Sequence, residues 1–223
     1  MNPSTGSMSS RSACATSRMR AVVLAAGAGE RMGRRPKCLL ELDGVPIIRR
    51  TLAALSAVGV ERPVTVLGHH ADAIAPCIEG LGVTVQHHFD PDPGPVSSQR
   101  LGLGALCGRI DAVMVVLADQ PLIDAPALAA LIKAWEQRPA GAEVLVPRVD
   151  GQRGNPVILS ASVREDILHA GAGFGCRQWQ ATFPDRVHVF DCGHRGFVWD
   201  VDSEDDIRRL HEATGQVLRW PSS

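Results

Sequence analysis

The 223 residues carry 23 Lys and Arg against 24 Asp and Glu, a formal net charge of −1, with 45% hydrophobic and 21% charged residues. That balance excludes a disordered or supercharged chain and a broad basic face for nucleic acid, and it supplies enough apolar residues for a core. One α/β unit can span this length.

Residues 1–18 are rich in Ser, Thr and Arg and lack the apolar stretch of a signal peptide. They read as a disordered leader ahead of one folded domain over 19–223. No apolar run approaches the ~20 residues of a membrane-spanning helix. Six cysteines, at 14, 38, 77, 107, 176 and 192, form no C-x-x-C pair. A chain this large folds without staples, so a reduced, cytoplasmic protein is expected. Cys38 and Cys107, in apolar surroundings, read as buried thiols.

Along the chain, short apolar runs at 20–24, 64–67, 83–86 and 113–117 have the character of fully buried strands. Helical patterns fill the gaps at 46–58, 71–79 and 97–107. Pro46 suits a first helical turn. Asp124 caps a helix running to about Trp135, with Pro126 tolerated in its first turn. Beyond it, 144–147, 156–159, 187–190 and 197–201 read as strands and 160–169 as a helix. Ser203-x-x-Asp206 resembles a capping box that opens a last helix. Glu204, Asp205 and Asp206 read as first-turn acids answering the helix dipole. The first 120 residues thus predict a mostly parallel sheet with helices on both faces. The second half adds strands and a cover for the substrate.

The first strand runs into Leu24-Ala25-Ala26-Gly27-Ala28-Gly29-Glu30-Arg31-Met32-Gly33-Arg34-Arg35-Pro36-Lys37. Open α/β sheets bind ligands at such a turn, and glycine lets backbone N–H groups approach a phosphate. A P-loop would need Gly-Lys-Ser/Thr, which is absent. A dinucleotide fingerprint would need a third glycine where Met32 stands, and an acid where Leu67-Gly68-His69-His70 stands. Four basic residues crowd instead into 31–37, which suits a triphosphate. A sharp turn and a solvated charge run are the bland alternatives.

Leu24 through Gly33, followed by Pro36-Lys37-Cys38-Leu39-Leu40, closely resembles the signature loop of nucleotidyltransferases that modify molybdopterin. The nearest match is the molybdenum cofactor cytidylyltransferase family, and the resemblance runs from Arg20 to about Leu210. It implies a Rossmann-like fold of the nucleotide-diphospho-sugar transferase type. It also implies that the backbone of Leu24, Ala25, Ala26, Gly27, Ala28 and Gly29 holds the triphosphate together with Arg31 and Lys37. Gly68, Ser97 and Ser98 are implied at the nucleotide, the two serines facing base and ribose.

Leu117-Ala118-Asp119-Gln120-Pro121 ends a buried run, which places Asp119 at the same sheet edge as the loop. Asp200 and Asp202 flank Val201 before the last helix, and one of the two is expected to face the site. The resemblance selects Asp119 and Asp202 as ligands of Mg²⁺, a cation that takes carboxylates and keeps several waters. It casts Arg31, Lys37 and Asp119 as the catalytic set. Ser97 and Ser98 also read as helix caps. Asn155, Gly175 and Arg177 match positions near the acceptor, but Gly173 stands where the family carries Asp, which loosens the acceptor assignment. The pairs His69-His70 and His87-His88 do not read as a zinc site.

The activity implied is attack by the terminal phosphate of molybdopterin on the α-phosphate of a nucleoside triphosphate, with release of pyrophosphate. CTP is preferred because Ala26 stands where guanylyl-transferring members carry glycine. A molybdenum hydroxylase is the implied downstream partner, with neither nucleic acid nor membrane. The rivals are guanylyl transfer, transfer to a sugar or alcohol phosphate, and a non-catalytic carrier of the cofactor.

Overall fold

A computed structural model describes residues 18–90 and 94–221. The expected leader lies outside these residues, apart from Arg18. That residue is already engaged, its N–H donating to Asp111 Oδ2 at 3.0 Å.

The elements are β1 (Met19–Ala25), β2 (Glu41–Leu42), β3 (Val45–Pro46), α1 (Ile47–Ala57), β4 (Val64–Leu67), α2 (Ala71–Ile78), β5 (Thr84–His87), α3 (Pro95–Ala105), β6 (Ala112–Leu117) and α4 (Ala125–Glu136). They continue as β7 (Val144–Val149), β8 (Gln152–Arg153), β9 (Val157–Ser160), α5 (Ala161–His169), α6 (Cys176–Thr182), β10 (Val187–Asp191), α7 (Glu204–Thr214) and β11 (Leu218–Arg219). Among the described residues the main sheet runs β10-β7-β9-β6-β1-β4-β5, with β8 paired to β7. β1, β4, β5 and β6 are mutually parallel, as expected. β9 is antiparallel to both its neighbours, β6 and β7.

Strand alternation sorts the core into two faces. Ala21, Val23, Met114 and Val116 pack with Ile48, Leu55, Ile74, Leu128 and Leu131 from α1, α2 and α4. Val22, Val64, Val66, Val113 and Val115 pack with Leu103, Val163, Ile167 and Trp179 from α3, α5 and α6. Helices therefore cover both faces. A third cluster joins Met32, Leu40, Leu42 and Ile47 to Val201, Leu210 and Leu218. It is built on the small sheet β11-β2-β3, whose two-residue strands carry no readable period.

α3 lies close on the sheet because it has Gly102 at the contact. A Cβ there would come 2.4 Å from Val22 Cγ1 and 2.9 Å from Val66 Cγ2. Gly102→Ala is expected to cost about 1–3 kcal/mol by overpacking, read as a lower urea midpoint at unchanged slope.

Four local expectations change. The strand expected to be fully buried at 83–86 is β5, a partly exposed strand at the sheet edge. The 197–201 stretch is not a strand: Arg195–Val198 form a 3₁₀ turn, and the chain then runs irregularly to Asp202. Gly196 explains the turn, since a Cβ would lie 2.6 Å from Leu122 O. Neither Ser97 nor Ser98 caps α3, because Gly94 and Pro95 begin it; Ser97 Oγ instead donates back to Gly94 O at 2.7 Å. Cys107 is exposed, unlike buried Cys38.

Candidate active site

The sheet reverses its winding between β1 and β6, since β4 and β5 extend it one way and the later strands the other. Such a switch point opens a crevice at the carboxyl ends of the strands. The glycine loop leaves β1 there. Asp119 leaves β6, which extends its pairing through Ala118 N–H to Leu24 O at 3.1 Å.

Gly29 and Gly33 flank a 3₁₀ turn over Glu30–Met32, both in the left-handed region with φ of 65° and 66°. A Cβ on Gly29 would sit 2.1 Å from Arg35 O, so the loop closes only on glycine. Met32 is buried in the third core cluster and pins the loop to the body. Gly68 also allows a close approach, because its Cβ would lie 2.7 Å from Ala26 O. His70 Nε2 bonds Ala28 O at 2.9 Å and clamps the loop from the β4 side.

The basic arm splits. Arg35 stacks on Trp220, its Cζ 3.7 Å from the ring centroid, and Arg34 is exposed. Only Arg31 and Lys37 turn to the acids. Lys37 Nζ lies 2.9 Å from Asp119 Oδ2 and donates to Asp202 Oδ1 at 2.6 Å. Arg31 Nη2 donates to Asp202 Oδ2 at 2.7 Å. Burial works against the Lys37 charge, but Asp119 and Asp202 outweigh it, so its pKa rises and the ammonium persists. Burial likewise opposes ionised Asp202, and Lys37 and Arg31 reverse that, lowering its pKa.

Asp200 also belongs here, so both acids of the pair approach the crevice. Gln120, 1% exposed, donates through Nε2 to Asp200 Oδ1 at 2.8 Å and to Phe197 O at 3.1 Å. Asp200 keeps a solvent-facing side, yet lost hydration and then the Asp119 charge push its carboxyl up to about 6. Val201 N–H donates to Asp119 O at 3.1 Å, which ties the C-terminal acids to β6. Asp206 is more than a dipole partner: Asp202 N–H and Ser203 Oγ both donate to its Oδ2, at 3.0 and 2.7 Å. The serine thus donates to the acid rather than accepting from the helix, so only the acid's half of the expected capping box forms. Cys38, beside Lys37, is held as a thiol by burial, its pKa pushed up to about 12.

The remaining candidates fall on two walls. Ser97 Oγ, its hydrogen already given to Gly94 O, accepts from His88 Nε2 at 3.0 Å beside the end of β5, and Ser98 is buried. Gly175 opens α6 against Val96 and Gln99 of α3, where a Cβ would meet Gln99 Oε1 at 2.8 Å. Arg177 is exposed on the first turn of α6 and has no ion pair among the described residues. Asn155 is on the other wall, its N–H donating to Phe197 O at 2.8 Å before β9.

Gln120 was not singled out by the sequence, Asp200 was passed over in favour of Asp202, and His70 and Asp206 were given no part in the site. Gln120 and Asp200 adjoin chosen residues, but their bond spans 80 positions. Arg100 also escaped notice. It donates to the carbonyls of Ile167, Leu168, Ala170 and Phe174 and fixes the turn that leads to Gly175.

A glycine loop, a lysine and two acids, one from the end of β6 and one from the irregular segment before α7, thus meet at the switch point. Residues 21–187 match the MobA-like NTP transferase domain. The chain belongs to that family. It therefore carries a MobA-like NTP transferase domain, with the fold of the nucleotide-diphospho-sugar transferases. Rv0371c from Mycobacterium tuberculosis is similar in structure, with a TM-score of 0.71 and 26% identity over 88% of this chain and 98% of that one. The same mycobacterial protein is also known as a complex with manganese.

Nicotine blue oxidoreductase of Paenarthrobacter nicotinovorans is 29% identical over 85% of this chain and 94% of its own length. Bifunctional protein GlmU of Heliobacterium modesticaldum is 34% identical over 68% of this chain. The chain spans about a third of that relative's length, 32%. Among the described residues no helix is long and apolar enough to cross a membrane.

Proposed function

We propose that this nucleotidyltransferase moves CMP from CTP onto the terminal phosphate of a molybdopterin-type acceptor. The observation that carries the reading is the convergence of Asp119 and Asp202 on Lys37 Nζ at the mouth of the glycine loop. The CTP preference rests on Ala26 and the acceptor on the family resemblance.

Two carboxylates that reach one point within 2.9 Å are placed to share a hard divalent cation as well as an ammonium. Their side chains are 23% and 39% exposed, which leaves room for water and phosphate oxygens. The donor set therefore fits Mg²⁺, and the manganese complex of the mycobacterial neighbour supports a divalent cation. When bound, the metal supplies charge neutralisation at the phosphoryl oxygens.

The protein's own groups do the rest. The loop backbone orients the triphosphate through N–H groups. Lys37 and Arg31 exchange their carboxylate partners for the departing pyrophosphate. An acceptor phosphate is ionised at neutral pH, so positioning and charge neutralisation suffice and no protein nucleophile is required.

A second reading comes from the relative named nicotine blue oxidoreductase. Met32 in place of a third glycine, and the missing acid after β4, argue against a dinucleotide site here. A third reading is a carrier that binds without turnover. The deciding experiment incubates the protein with molybdopterin, Mg²⁺ and each of CTP, GTP, ATP and UTP, and reads pyrophosphate; a parallel arm follows NADH and NADPH absorbance. Pyrophosphate release fastest with CTP is expected. Nicotinamide oxidation without pyrophosphate, or tight binding with no product, would sink the proposal.

A further inference from the structure

The opposite edge of the sheet, at the amino ends of the strands, carries a second concentration of charge. Arg20 stands two residues before Val22 and Arg62 two before Val64, and those valines are partners in the β1–β4 register. Both arginines line one cavity of about 330 Å³ with Val64, Thr84 and the residues at the end of α3, Ala105, Leu106 and Cys107. The cavity lies a full strand length from the glycine loop and Asp119, which follow the carboxyl ends of β1 and β6.

Two like charges in one cavity repel unless an anion stands between them. No carboxylate lines this cavity, and neither Arg20 nor Arg62 makes a side-chain hydrogen bond or ion pair among the described residues. The Nε of half-buried Arg20 is itself buried without an acceptor, a cost that a purely structural arginine recovers through a partner. The dipole of α3 does not account for the pair. The carbonyls at the end of that helix are taken by Arg164, whose Nε donates to Leu103 O at 2.9 Å and whose Nη2 donates to Leu106 O at 3.4 Å. Asp111, before β6, is committed too: it pairs with Arg109 at 3.5 Å and accepts from the Arg18 N–H. Two uncommitted guanidinium forks and the Thr84 hydroxyl, beside a small apolar wall, suit an oxyanion that carries two negative charges.

We propose that this cavity binds a small dianionic oxyanion between Arg20 and Arg62, at a site distinct from the catalytic crevice. Cys107 supplies a local reporter, because its exposed thiol lines the same cavity. The full chain is titrated with inorganic phosphate at constant ionic strength, and alkylation of Cys107 by iodoacetamide is followed by peptide mass spectrometry. Succinate is the second arm and tells a carboxyl source of the oxyanion from a phosphoryl one. Sodium chloride is the blank.

Phosphate or succinate is expected to slow the alkylation, and chloride to leave it unchanged. Arg20→Gln and Arg62→Gln are each expected to raise the concentration for half-protection about tenfold, the loss of one charge-assisted fork. Arg62 is exposed in the turn before β4, so Arg62→Gln reports even where a change inside β1 disturbs folding. Lys37→Ala is expected to keep the wild-type protection, which separates this site from the glycine loop. Equal protection by chloride, no protection by either oxyanion, or an unchanged half-protection concentration in Arg62→Gln overturns the proposal. So does loss of protection in Lys37→Ala. Neither nucleotide nor acceptor enters the experiment, so its outcome is independent of the nucleotidyl-transfer reading.

Discussion

Pyrophosphate release is expected to fall about 10³-fold in Asp119→Ala, the several kcal/mol that a cation supplies to a phosphoryl transition state. Asp119 stands at the carboxyl end of β6, 2.9 Å from Lys37 Nζ, and its backbone carbonyl holds Val201. The substitution removes the carboxylate and leaves that backbone bond in place. The loss therefore falls on kcat and on the metal concentration needed for half-maximal rate, with a native thermal transition. Asp202→Ala is expected to follow it. A variant of either acid that keeps the wild-type rate at limiting Mg²⁺ removes that acid from the metal site.

Lys37→Ala is expected to slow turnover by about 10²–10³-fold, the usual cost of one preorganised charge at a developing anion. It carries a second signature. Lys37 Nζ occupies the position where Asp119 and Asp202 converge. Removing the ammonium frees both carboxylates, so manganese or magnesium is expected to bind this variant about tenfold more tightly in the absence of nucleotide. Calorimetric titration of the metal reads this directly. Unchanged metal affinity together with normal turnover refutes the shared position. The double variant Asp119→Ala with Lys37→Ala is expected to lose far less than the product of the single losses, because the residues act as one unit.

The parts of this molecule that were legible in sequence are those whose physics is local. The runs at 20–24, 64–67 and 113–117 are buried on both faces, and both faces leave their mark in residues that are apolar apart from Arg20 and Thr65. Asp124 caps α4 as read, accepting from Ala127 N–H at 2.8 Å. Lys37, Asp119 and Asp202 could be named from their motifs and do meet in space. What escaped depends on distant partners. Asp200 acquires its place from Gln120, 80 positions away, and the turn to Gly175 is fixed by Arg100 from α3. The apolar letters of 197–201 imitate a strand, but Phe197 is spent on core packing and its carbonyl on Asn155 and Gln120. The serines at 97 and 98 looked like caps because capping is usually decided by the side chain, and here Gly94 and Pro95 set the helix start first.

Met32 sits in one apolar cluster with Val201, Leu210 and Leu218. Synthesis is vectorial, and the amino-terminal strands emerge first. The glycine loop then waits, without its anchor and without Asp202, until residues 201–218 have left the ribosome. A nascent chain can pair β1 with β4 before Asp202 has joined Lys37, so the pair of acids is assembled only after α7 and β11 have emerged.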